Sequence, residues 1–284
     1  MAITQESLMA LQIMGKEFTY TDNDSMLYAL GIGMGEDPMN RAELAFCYEN
    51  GQKIMPSQAT VVAFDTSIFW DCGIDVVKMV HGEQRLTLHR PLPVAATVIS
   101  DIRVTDAFDK GEGRGAIILM ETVLRDKSNG EKLCTMESVI FARGDGGYGG
   151  PQGAPEPLPK SPMRLADHVV EFQTLPRQAL IYRLSGDRNP LHCDPDFAAA
   201  GGFEQPILHG LCTYGHARHA VIRACCNYQP ERMTSFSARF SAPVMPGDML
   251  QTHIWDDEDE IYFTTSVPAR EQIVLSNGYA TITE

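Results

Sequence analysis

Apolar positions alternating with Thr, Ser and charged positions mark four strand-length runs toward the C-terminal end, at 236–242, 249–255, 260–267 and 272–283. Four more lie at 85–90, 97–105, 114–125 and 132–143. Strands that follow one another without intervening helices pair antiparallel, because parallel neighbours need a long crossover. In each half the runs follow a short polar-to-apolar opening and an irregular or helical middle. The pattern therefore predicts an α+β chain with an antiparallel sheet in each half.

One helix stands out. From His209-Gly210 to Cys226 most side chains are small or apolar around the whole circumference, as in a helix that a sheet encloses. Asn227-Tyr-Gln-Pro230 ends it, since proline cannot continue the ladder. Between the halves, residues 144–162 are dominated by Gly and Pro and can hold neither helix nor sheet. The expected organisation is a module at 1–143, a linker at 144–162 and a second module at 163–284.

Weak internal similarity points to a duplication. Tyr28-Ala-Leu-Gly-Ile-Gly parallels Tyr182-Arg-Leu-Ser-Gly-Asp, and residues 88–98 parallel 240–250 around their prolines. His81-Gly82 parallels His209-Gly210, but the Tyr-to-His separation is 81 − 28 = 53 in one half and 209 − 182 = 27 in the other. One copy is expected to be remodelled.

The length of 284 residues suits two packed modules. Twenty-three Lys and Arg against 37 Asp and Glu leave a net charge of −14, which argues against a nucleic-acid groove or a basic membrane-binding face. Seven cysteines without a CxxC pair suit neither a disulfide framework nor a zinc site, and fit a reducing compartment. The start lacks a signal-like apolar block and the final Thr-Ile-Thr-Glu is no peroxisomal tripeptide, so the expected location is cytoplasmic. No metal or organic cofactor is expected, and a homodimer is the expected assembly.

Chemistry concentrates in Leu184-Ser-Gly-Asp-Arg-Asn-Pro-Leu-His192. Gly186 and Pro190 punctuate a non-helical turn, so Asp187, Asn189 and His192 can converge on one point and hold and deprotonate a water. The same residues are ordinary turn formers, and by themselves would read as a structural turn. With Ala198-Ala-Ala and Gln205-Pro-Ile-Leu-His-Gly-Leu-Cys-Thr-Tyr214 downstream, however, Asp-x-Asn-Pro-x-His resembles the hydratase 2 motif of the MaoC-like family. Tyr48-Glu49, His81-Gly-Glu-Gln84 and residues 88–93 extend the resemblance loosely into the first half, as in tandem double hot-dog hydratases.

That resemblance implies two modules, each with a sheet wrapped around a central helix, and an R-specific hydration of trans-2-enoyl-CoA thioesters. It implies that Asp187 and His192 activate water, that Asn189 orients it, and that the Gly210 N–H holds the thioester oxygen. The first half would accommodate the acyl chain without catalysing; Gly33 stands there in the place of Asp187. His81, Gly82 and Arg239 are candidate substrate contacts, Arg239 as an isolated cation on a strand edge reaching a CoA phosphate. His209 is expected to cap or pack at the helix start, Cys193 to pack, and His216 and His219 lack an identifiable third metal ligand. The rival readings are an acyl-CoA thioesterase and a non-catalytic acyl-CoA-binding protein.

Overall fold

The computed structural model describes residues 3–70 and 72–283, which form ten strands and seven α-helices with short 3-10 turns between them. The strands are β1 (Gln12–Tyr20), β2 (Met79–Leu88), β3 (Ala96–Asp109), β4 (Ala116–Asp126), β5 (Lys132–Ala142), β6 (His168–Gln173), β7 (Met233–Phe240), β8 (Met249–Asp257), β9 (Glu260–Val267) and β10 (Gln272–Ile282). The helices are α1 (Gln5–Met9), α2 (Asp22–Gly31), α3 (Arg41–Leu44), α4 (Ala59–Val62), α5 (Gln178–Tyr182), α6 (Pro195–Ala200) and α7 (Gly210–Cys225).

All ten strands join one antiparallel sheet in the order β1-β3-β4-β5-β2-β7-β10-β9-β8-β6. The order reads the same from both edges: β1 answers β6, β3 answers β8, β4 answers β9 and β5 answers β10. The centre of symmetry is the β2–β7 pair, where Leu86 lies opposite Phe236 and Gln84 opposite Ala238. The duplication seen in the sequence is therefore a doubled five-stranded sheet closed across its middle.

The eight runs read from alternation correspond to β2–β5 and β7–β10, with β9 at the expected bounds. The openings of the two halves are themselves strands, β1 and β6, at the outer edges of the sheet. Their mostly exposed side chains give little apolar alternation, which is why the pattern leaves them unmarked.

Helix α7 packs across the second-half strands, and residues 211–222 are all buried. Phe236 and Phe263 stack with ring centroids 4.6 Å apart beneath it, and Tyr214 meets Phe236 edge-on at 4.8 Å. Truncating an aromatic ring in such a core typically costs about 3–5 kcal/mol. On its other side α7 touches the first half closely: a Cβ on Gly215 would fall 2.4 Å from Ile32 Cγ2, so only glycine fits at this crossing.

In the first half the corresponding helix is reduced to a 3-10 turn at Pro56–Gln58 followed by the single turn of α4. This corrects the pairing of His81-Gly82 with His209-Gly210: His81 and Gly82 lie inside β2, with Gly82 at a register shift against β5. The counterpart of Gly210 is Pro56, and the separation from the paired tyrosines is 56 − 28 = 28 and 210 − 182 = 28. Spacing up to the helix start is thus conserved between the halves, and remodelling falls on the helix itself.

Residues 143–167 contain no helix or strand, yet they are tied down along their length. Asp109 N–H donates to Pro151 O, Arg85 to Glu156 O, Asn277 to Leu158 O and Trp255 to Arg164 O. The segment bridges from first-half to second-half strands with its backbone carbonyls used as acceptors, which satisfies groups a free linker would leave to water.

Candidate active site

The turn after α5 is shaped by its own sequence. Gly186 has φ +150°, and a Cβ there would meet Val61 O at 2.6 Å, so any other residue would be both strained and obstructed. The Asp187 carboxylate accepts the Asn189 N–H at 3.0 Å, and the Asn189 side-chain oxygen accepts the Leu191 N–H at 3.0 Å. Pro190 then opens a 3-10 turn that ends on His192. The Asn189 side chain therefore holds the turn, while its backbone N–H contacts the Asp187 carboxylate.

His192 is buried, and its Nδ1 lies 2.9 Å from Ile207 O. A carbonyl only accepts, so Nδ1 carries the proton and neutral His192 presents Nε2 as a lone pair. Burial holds the His192 pKa below the ordinary histidine range, against the opposing pull of Asp187. Burial likewise raises Asp187 above the ordinary carboxylate range, partly offset by the Asn189 N–H, His192 and Arg183. Asp187 and His192 thus form a desolvated, interacting pair whose pKa values burial draws toward each other.

His209 stacks on His192 with centroids 3.6 Å apart and planes inclined by 25°, and its Nε2 lies 3.1 Å from the backbone oxygen of Asp187. By the same logic His209 donates from Nε2. Burial, and after it the neighbouring His192, lower its pKa to about 2, so it is neutral throughout the working range. It makes no side-chain cap on α7; it packs, as the sequence suggested, but against the turn that carries Asp187 and His192.

Gly210 is the first residue of α7, where a backbone N–H has no acceptor within the helix and the dipole is positive. A Cβ at Gly210 would stand 3.1 Å from Phe240 Cδ1. The geometry brings together Asp187, Asn189, His192 and Gly210 at the meeting of the turn and the helix start. Gly33, the counterpart of Asp187, faces the His216 imidazole instead, at 3.2 Å from an added Cβ to Nε2.

His81 lies beyond Phe240, ring centroids 4.8 Å apart, with Nε2 enclosed and unpartnered and its pKa lowered by burial to about 4. Arg239 is exposed, but β7 lies in the middle of the sheet, which corrects the strand-edge expectation; register places Arg239 opposite Glu83 on the face turned away from Phe240 and α7. His216 and His219 each bond a carbonyl through Nδ1, of Cys212 and Ile32. Asp187, His192 and His209 offer potential metal-ligand atoms within 4.8 Å of one another, as do His168, Cys225 and Asp256 near the far end of α7. The contacts of His209 with His192 and Asp187, and the enclosed, unpartnered Arg218, are what sequence reasoning missed. For His209 the adjacency to Gly210 was the available signal.

Residues 158–277 match the MaoC like domain and residues 18–144 the MFE-2 hydratase 2 N-terminal domain. The chain is 37% identical to the enoyl-CoA hydratase ChsH3 of Mycobacterium tuberculosis, over 98% of both chains. It is 36% identical to the peroxisomal enoyl-CoA hydratase 2 of Arabidopsis thaliana, over 97% of this chain and 94% of that one. Among solved structures, a MaoC-like dehydratase from Phytophthora capsici superposes with a TM-score of 0.87 at 29% identity, covering 99% of this chain and 98% of the other. The Drosophila melanogaster peroxisomal multifunctional enzyme type 2 does so at 0.83 and 33%, covering 95% of this chain and 48% of that larger protein. With both halves matched and relatives aligned along almost its whole length, the chain belongs to the MaoC-like hydratase 2 family of double hot-dog proteins.

Proposed function

We propose that the protein hydrates trans-2-enoyl-CoA thioesters reversibly to (R)-3-hydroxyacyl-CoA. The observation that carries this reading is the free Nε2 of His192, its other nitrogen committed to Ile207 O, in a cluster with the Asp187 carboxylate and with His209, the residue that precedes the first N–H of α7. Relatives named enoyl-CoA hydratase and 3-hydroxyacyl-thioester dehydratase support it.

The β-carbon of an enoyl thioester accepts water only if negative charge can develop on the thioester oxygen. The Gly210 N–H, aided by the helix dipole, receives that charge. Between them, the Asp187 carboxylate and His192 Nε2 take one proton from water and return one to the α-carbon, while hydroxide oxygen bonds to the β-carbon. Both groups lie on one side of the bound thioester, so addition is syn. Asn189 fixes the Asp187 carboxylate through its backbone N–H. His81 and Gly82, beyond Phe240, line the thioester end, and the first half houses the acyl chain where its helix is reduced to two short turns. The reading extends to a homodimer in a reducing, cytoplasmic compartment, where seven free thiols persist.

Incubation with crotonyl-CoA tests the reaction class: enoyl absorbance falls without release of free thiol. Thiol release would mean hydrolysis and replace this reading with a thioesterase.

A further inference from the structure

Arg218 stands eight residues beyond Gly210, about 12 Å along the axis of α7. It is 0% exposed, and none of its three guanidinium nitrogens has a hydrogen-bond partner. The groups around it are Tyr214, Tyr28, Cys226 and Cys134, with the Phe236 ring 5.4 Å below. Among the described residues no carboxylate pairs with the guanidinium. A fully enclosed cation is strongly unfavourable unless an anion or several acceptors meet it.

Independent polar groups lead to it. The hydroxyls of Tyr28, Ser57, Tyr182 and Ser185 and the side-chain oxygen of Gln58 are also buried without partners. Tyr28 and Tyr182 pack ring against ring, centroids 5.9 Å apart, and the Tyr28 hydroxyl lies close to Ser57 and to Tyr182. A cavity of about 110 Å³ is lined by Tyr28, Gln58, Val61 and Ser185 and, on another side, by Asp24; Ser185 adjoins the glycine that precedes Asp187, and Arg218 lies behind Tyr28 rather than in the lining. Buried hydroxyl donors, with the Gln58 oxygen as an acceptor among them, thus lie between the turn that carries Asp187 and the Arg218 cation. A plain hydrocarbon chain would leave the Arg218 guanidinium without an acceptor. A carboxylate can accept two guanidinium N–H bonds in a fork and a hydroxyl bond besides.

We propose that Arg218, with Tyr28 and Ser57, receives a carboxylate at the far end of the acyl chain, so that the preferred substrates are medium-length thioesters of dicarboxylic acids. The proposal rests on the hydratase reading of Asp187, His192 and Gly210 and specifies its substrate class.

The test compares kcat and KM for pairs of trans-2-enoyl-CoAs of equal chain length, one ending in methyl and one in carboxylate. Wild type favours the carboxylate-terminated member by roughly tenfold or more in kcat/KM, chiefly through KM. Arg218→Met, which keeps the length and removes the charge, reverses the preference. Ser57→Ala, a smaller change in the same cluster, narrows it. A wild type without carboxylate preference, or a preference that survives both substitutions, overturns the proposal. Wild-type turnover of crotonyl-CoA separates the two readings: its absence overturns both, whereas its presence without the preference overturns this one alone.

Discussion

The imidazoles of His192 and His209 stack at 3.6 Å, and each donates to a carbonyl of the segment that carries the other: His192 to Ile207 O, His209 to Asp187 O. This reciprocal clasp joins the turn that carries Asp187 to the start of α7. It fixes the tautomer of His192 and the position of Asp187 together.

His209→Phe keeps a stacking ring and loses the Nε2–H donor. Turnover is expected to fall by about 10²-fold, as for a displacement of reacting groups by a fraction of a bond length to 1 Å, with KM little changed. Since His209 is neutral in the wild type, the pH profile of the variant should keep its shape. A variant with wild-type kcat would show that the clasp contributes nothing to catalysis.

The acid limb of kcat/KM reports the pair. His192 must be unprotonated at Nε2, and its pKa lies below the ordinary histidine value of about 6.5. Asp187 must be ionised, and its pKa lies above the ordinary carboxylate value of about 3.9. Protonation of either group removes activity on the acid side; burial moves the Asp187 step upward and the His192 step downward, drawing the two steps together. Two coupled groups should give a limb steeper than one proton, and Asp187→Asn should flatten what activity remains. A limb centred above pH 7 in the pH–rate profile would contradict this assignment.

Gly210 separates sterics from hydrogen bonding. Gly210→Ala keeps the N–H and presses on Phe240, whose ring can yield, so most activity should remain. Gly210→Pro is tolerated at the first helical position but removes the donor, and should cost about 10²–10³ in kcat while thioester binding changes less. Equal losses in the two variants would remove Gly210 from the mechanism.

Glu43 links the halves through a buried network. Burial works to raise its pKa, but the His219 imidazole 3.6 Å away and hydrogen bonds from Tyr228 at 2.7 Å and from the Gly35 N–H outweigh it and bring it to about 2. A carboxyl depressed in the folded state stabilises above its unfolded pKa and loses that contribution as pH falls toward the folded one. Glu43→Gln should therefore lower Tm at pH 7 and erase part of the difference between pH 5 and pH 2. An unchanged Tm at pH 7 would show that the network is not stabilising.

The residues that alternate on both a packed and a paired strand, such as β9, are legible from sequence because neighbours on either side enforce the period. β1 and β6 have a neighbour on one side only, so solvent permits polar residues that hide the pattern. Asp187, His192 and Gly210 are legible as a motif because a turn and a helix start leave fixed signatures. The clasp is not, since it depends on how two loops meet. Nor is Arg218: its neighbours on α7 suggest a buried helix, but only packing shows that the guanidinium is enclosed with them.

The most direct test is the stereochemistry and residue dependence of hydration. Wild type supplied with a trans-2-enoyl-CoA should give (R)-3-hydroxyacyl-CoA, and Asp187→Asn or His192→Ala, folded by circular dichroism, should lose several orders of magnitude in turnover. An S product, or near wild-type rates in either variant, would contradict the account.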